Sequence, residues 1–96
     1  MLLEHQQLLA EILLLAVNGS EQTGKRICHD VTAWGDGALW SQVRVLEGED
    51  PHDTAVVVEI DGEESPLLST GQVTTLSAQR EALAHWIAAN QQEIAA

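Results

Sequence analysis

Residues 25–46 read KRICHDVTAWGDGALWSQVRVL. Two period-two alternations flank the triplet Gly35-Asp36-Gly37. From Lys25 to Trp34, Ile27, His29, Val31 and Ala33 share one side, and Cys28, Asp30 and Thr32 the other. From Leu39 to Leu46, Leu39, Val43 and Val45 share a side opposite Trp40 and Arg44. Alternation with this period belongs to a half-buried strand, because successive side chains leave a strand on opposite faces. The Gly-Asp-Gly triplet supplies the turn, so the centre of the chain reads as an antiparallel hairpin.

Toward the C-terminus, Gly48-Glu49-Asp50-Pro51-His52-Asp53 reads as an acidic connecting loop. Thr54 to Ile60 is a third strand, since Val56-Val57-Val58 is β-branched throughout. Asp61-Gly62 then reads as a tight turn, and Glu64 to Ser69 as a short edge strand weakened by Pro66. After a loop over residues 69–75, Ser77 is a good N-cap for a helix reaching about Ile94. Ala82, Leu83, Trp86, Ile87, Asn90 and Ile94 form its apolar stripe, with Gln79, Arg80, Gln91, Gln92 and Glu93 off it.

Toward the N-terminus, Leu2 to Val17 is helical, with Leu2, Leu8, Leu9, Ile12, Leu13 and Ala16 recurring at helical spacing. Asn18-Gly19-Ser20 should end it, with Gly19 in the left-handed C-terminal position and residues 18–24 as loop. Leu14 and Leu15 lie outside the stripe, so a homodimer through this first helix is expected. The fold class is therefore α+β in a single domain, 1–96. An N-terminal helix, a three- or four-stranded antiparallel sheet and a C-terminal helix follow in order, with both helices packed on one sheet face.

Charge is the strongest functional signal. The chain of 96 residues carries 15 acids against 4 bases, a formal net charge of −11. Eight acids (Glu47, Glu49, Asp50, Asp53, Glu59, Asp61, Glu63 and Glu64) fall between residues 47 and 64, with no Lys or Arg among them. Such a surface repels nucleic acid and anionic membrane and attracts basic protein. Direct nucleic-acid binding is disfavoured, because phosphate contacts need clustered basic residues and Lys25, Arg26, Arg44 and Arg80 are scattered. The run LLAEILLLAV at residues 8–17 is too short to span a membrane and lacks a basic flank on its N-terminal side. One cysteine, Cys28, cannot form an intramolecular disulfide, which points to a reducing, cytoplasmic setting.

No catalytic or metal motif emerges. His5, His29, His52 and His85 have no ligand spacing, and adjacent Cys28 and His29 point to opposite faces of a strand. The acidic run lacks the alternating acids and terminal Glu of a calcium loop. Its carboxylates are expected in solvated turns, with few apolar neighbours to raise a pKa. The serines lack a nucleophile-elbow context. Cys28 has Lys25 and Arg26 nearby, which would favour a thiolate. On balance an enzyme, a metal and a cofactor are not expected.

What remains is a protein-binding surface: Glu47, Glu49, Asp50, Asp53, Asp61, Glu63 and Glu64, with Trp34, Asp36 and Trp40 around the hairpin turn. Tryptophan is the most frequent anchor residue of protein interfaces. Carboxylates on alternate strand positions lie about 6–7 Å apart, close to the phosphate spacing of a nucleic-acid strand. In size and charge the chain resembles small acidic inhibitors of phage origin, the anti-CRISPR and anti-restriction proteins, which act as DNA mimics. That resemblance implies an inhibitor occupying a basic, nucleic-acid-binding surface of a positively charged protein partner. Its helix–strands–helix order is also similar to part of the type III secretion chaperones, which are small acidic α+β dimers. An immunity protein neutralising a basic toxin uses the same electrostatics as the inhibitor.

Overall fold

The computed structural model describes residues 3–35, 37–47, 55–64 and 75–91. Helix α1 (Leu3–Thr23) leads into strands β1 (Arg26–Ala33), β2 (Leu39–Glu47) and β3 (Ala55–Glu64), and helix α2 (Leu76–Ala89) closes the order. The strands form one antiparallel sheet in the order β1-β2-β3. This is the α+β architecture expected from the alternation of residues 25–46 and the helical periodicity on either side.

Turn chemistry sets the hairpin. The Trp34 N–H donates to Ala38 O at 2.9 Å, and the Gly37 N–H to Trp34 O at 3.3 Å. Gly37 adopts a φ of 93°, a region closed to most side chains. The register then pairs Ile27 with Val45, His29 with Val43 and Ala33 with Leu39. Directly opposed residues share a face, so the helix side of the sheet carries Leu39, Ser41, Val43 and Val45, all buried. Both helices cover that side: Ile27 lies beside Gly19 of α1, and Gln79 of α2 lies against Gly62. Ile12, Leu39, Val43, Leu76, Leu83 and Ile87 form the core, with Leu8, Leu9, Leu15, Ile27, Ile60 and Trp86 packed around it.

Five local expectations are corrected. Helix α1 does not stop at Val17. Gly19 is helical and buried, and a Cβ there would collide with the Ile87 side chain. The glycine is thus present for close helix contact, and Gly24, at φ 71°, takes the left-handed position instead. The Thr23 hydroxyl donates to Gly19 O at 2.7 Å and helps seal the last turn. Leu13 is exposed, while Leu15 packs on the core. Asp61-Gly62 is no turn: β3 runs through it, pairing Asp61 with Gln42 and Gly62 with Ser41.

Helix α2 is capped two residues earlier than expected. Thr75, not Ser77, caps it, its hydroxyl accepting from Ala78 N at 3.2 Å. Finally, Gln79 belongs to the core. It is fully buried, and its amide nitrogen donates to Ser41 O at 3.0 Å and Ile60 O at 2.9 Å. The proposed strand beyond Glu64, the acidic loop over 48–53 and Ile94 lie outside the described residues. Among the described residues, no helix is long and apolar enough to cross a membrane.

Candidate protein-binding face

With both helices on one side, the other side of the sheet is open among the described residues. Strand parity decides what it displays. Its cross-strand rows are Thr32–Trp40–Glu63, Asp30–Gln42–Asp61, Cys28–Arg44–Glu59 and Arg26–Leu46–Val56. One edge strand, β3, therefore presents Glu59, Asp61 and Glu63 in line, two residues apart. At about 3.3 Å of rise per residue, neighbouring carboxylates stand about 6.6 Å apart at their Cα positions.

The acids are only partly compensated. The Gln42 amide donates to Glu59 Oε1. Arg44 Nη2 donates to Asp30 Oδ2 at 2.9 Å, across the β1–β2 pair, and so turns toward the strand away from β3. Asp61 Oδ1 is buried with no hydrogen-bond partner. Burial beneath its neighbours, and then the charge of Glu59, push the Asp61 carboxyl up from its ordinary value, with the Gln42 amide partly opposing. A cation placed over β3 would offset the repulsion from Glu59. Trp40, half-buried, sits beside Glu63 at the hairpin end of this row and offers a flat apolar surface next to a carboxylate.

The residues singled out from sequence are not all brought together. Asp61, Glu63 and Trp40 come together on the open face. Glu47 ends β2 and is paired with Lys25, so this acid does have a counter-ion. The Lys25 ammonium holds the Glu47 carboxyl below its ordinary value. Glu64 projects to the helix side, where its Oε1 accepts from Leu76 N at 3.1 Å and its Oε2 lies 3.6 Å from His5 Nε2. It therefore anchors the start of α2. Trp34 is 52% exposed at the hairpin turn. Asp36, Glu49, Asp50 and Asp53 lie outside the described residues.

Glu59, Gln42, Asp30 and Arg44 were not singled out as site residues, yet they complete the face. Their signal was available in the alternation Glu59, Asp61, Glu63, which reading Asp61-Gly62 as a turn concealed. The expectation of solvated turn carboxylates fails for Asp61 and Glu63, which are half-buried strand residues.

A serine–histidine pair is present among the described residues. His29 Nε2 and Ser41 Oγ are 2.8 Å apart. Ser41 is 0% exposed beneath the helices, so its hydroxyl is closed to any substrate. Burial lowers the His29 pKa, with Asp30 partly opposing. Cys28 is half-buried on the opposite face. Among the described residues no three His, Cys, Asp or Glu side chains group as metal ligands. A groove of about 530 Å³ runs between the helices, lined by Leu14, Leu15, Asn18 and Ala84 and bridged by the Arg80–Glu11 ion pair at 2.6 Å. It offers apolar surface and no reactive group.

Comparison with protein-family models, curated proteins and solved structures finds no match to this chain.

Proposed function

We propose that the chain is a non-catalytic protein-binding inhibitor, acting in the cytoplasm, whose open sheet face docks on a positively charged protein surface. The observation that carries this reading is the line of Glu59, Asp61 and Glu63 along one edge of a sheet face left open among the described residues. Alternate strand residues advance about 6.6 Å, and two nucleotides advance about 6.8 Å along one strand of a duplex. A basic groove built for a phosphate backbone would therefore meet a carboxylate at every second phosphate step along its axis. Trp40, beside Glu63, supplies the apolar anchor that charge alone lacks, since buried aromatic contacts give most of an interface its lifetime.

The test is capture from the native host with the immobilised chain, followed by mass spectrometry, comparing wild type with the Glu59→Lys, Asp61→Lys, Glu63→Lys triple variant. Captured partners should be basic, should be lost from the variant, and should release as salt rises from 50 to 500 mM, where screening shortens from about 14 to about 4 Å. Capture indifferent to both reversal and salt would leave the acids as a solubilising surface. A second reading, a secretion-type assembly chaperone, is favoured by the exposed leucines of α1. Its sign would be capture of apolar partners at high salt.

A further inference from the structure

Strand β3 is an edge of the sheet, and the hydrogen-bond pattern decides which of its backbone groups are left over. In an antiparallel pair, residues alternate between bonding the partner strand and directing both N–H and C=O to the other side. The Trp34 N–H donates to Ala38 O at 2.9 Å, one step beyond the Ala33–Leu39 pair, and this fixes the phase. Counting back in twos, Thr32–Trp40, Asp30–Gln42 and Cys28–Arg44 are the bonded pairs of β1 and β2. Leu39, Ser41 and Val43 therefore turn to β3 and bond Glu64, Gly62 and Ile60. The Gln79 amide agrees, since it reaches Ser41 O and Ile60 O together from the helix side of that ladder. Left for the outer edge are the N–H and C=O of Glu59, Asp61 and Glu63. Among the described residues no strand lies beside them.

We propose that this edge is completed by an extended basic segment of the partner protein, added as a fourth strand with Lys or Arg at alternate positions. The inference rests on the docking reading above and specifies its mode. Backbone and charge name the occupant together. Each of Glu59, Asp61 and Glu63 offers a donor and an acceptor at the edge and a carboxylate on the open face. On an added strand, running in either direction, the residues beside these three recur every second position, about 5 Å away, with side chains on the same face. Alternating cations would meet all three acids. The intervening residues fall on the helix side beside Ile60 and Gly62, where β-branched side chains suit a half-buried strand.

The other edge, β1, does not select a charged strand. Its open-face residues include Arg26 and Asp30, of opposite sign, and Asp30 is already paired with Arg44. Acids on an edge also keep two copies of a chain from pairing there. Solvated charges are enough for that purpose. Asp61 Oδ1 is instead buried with no hydrogen-bond partner, an acceptor left for a donor from an adjoining strand.

The probe is a capped peptide alternating four lysines with three valines, titrated calorimetrically into the full chain at low salt. N-methylation of the lysine amides, which face β3, should weaken binding about a hundredfold, because three backbone hydrogen bonds are lost while charge is kept. N-methylation of the valine amides, which face away, should change it less than about twofold. Asp61→Asn and Glu63→Gln should each weaken it about two- to fivefold, the range of a cross-strand charge pair, with circular dichroism confirming that both variants fold. Amide hydrogen exchange reads the edge directly. In the free chain the Asp61 and Glu63 amides should exchange fast and those of Ile60 and Gly62 slowly, and the peptide should protect the first two. Protection of Asp61 and Glu63 in the free chain would show the edge already occupied and would overturn the proposal. Equal binding of the lysine-methylated and unmethylated peptides would also overturn it, while leaving face docking in place. Failure of the peptide to bind, with basic proteins still captured from the host, would remove strand addition alone, and loss of that capture as well would remove both readings.

Discussion

Substitution of Gln79 tests how α2 is registered on the sheet. Its amide nitrogen bridges two strands, donating to Ser41 O on β2 and Ile60 O on β3. Each bond contributes about 1 kcal/mol net, and loss of the buried methylene adds about 0.8 kcal/mol. Gln79→Ala should therefore cost about 3 kcal/mol, a large part of the roughly 5–10 kcal/mol expected for a domain of this size. Gln79→Met should cost less, since it keeps the volume and removes Oε1, a buried acceptor with no partner.

Gln79→Glu is the sharpest case. It replaces the donor with a carboxylate facing two carbonyl oxygens, with burial and no counter-charge, so at pH 7 it should exceed the alanine variant in cost. Burial raises the pKa of the new carboxyl in the folded state above its unfolded value of about 4.3. The folded state then binds the proton more tightly, so the deficit relative to wild type must shrink as pH falls through the raised pKa. Urea unfolding followed by tryptophan fluorescence at pH 7 and pH 5 reads both effects. A Gln79→Ala cost below 0.5 kcal/mol, or a Gln79→Glu deficit that grows on acidification, would refute the assignment of Gln79 as the strand-bridging donor.

Other expectations follow from single contacts. Gly19→Ala should lower the melting temperature although alanine favours helix by about 1 kcal/mol, because overpacking against Ile87 costs about 1–3 kcal/mol. The His29 pKa lies below its ordinary value of 6.5, so the unfolded chain binds the proton first. Stability should therefore fall as pH drops from about 6.5 toward the folded value, and a His29→Gln variant should flatten that slope in thermal melts across pH 5–7. Asp61→Asn removes a carboxyl disfavoured by burial and by Glu59, so it should raise the melting temperature at pH 7 while weakening capture of a basic partner. A variant that gained neither stability nor partner loss would show that Asp61 is already fully solvated.

The elements of this fold were legible in residues 25–46 and in the helical periodicity around them, because strand and helix periods are local properties of the chain. The line of acids along β3 was also present in sequence as Glu59, Asp61 and Glu63. Reading it required knowing that Asp61-Gly62 continues a strand. Asp-Gly is a strong turn signal on local grounds. Here it loses to pairing with Ser41 and Gln42, and to the need of Gln79 for a glycine beneath its side chain. Gly19 shows the same reversal, since its value lies in contact with Ile87, 68 residues away in sequence. Leu13 and Leu15 exchanged roles because helix phase is set by what packs on it, and leucines two residues apart look alike until α2 and β1 take their sides. Composition and period therefore determined which elements exist and what charge they carry. Tertiary contact alone decided which face is covered, which acids are paired, and where a buried glutamine can stand, because each of these depends on atoms brought together from distant parts of the chain.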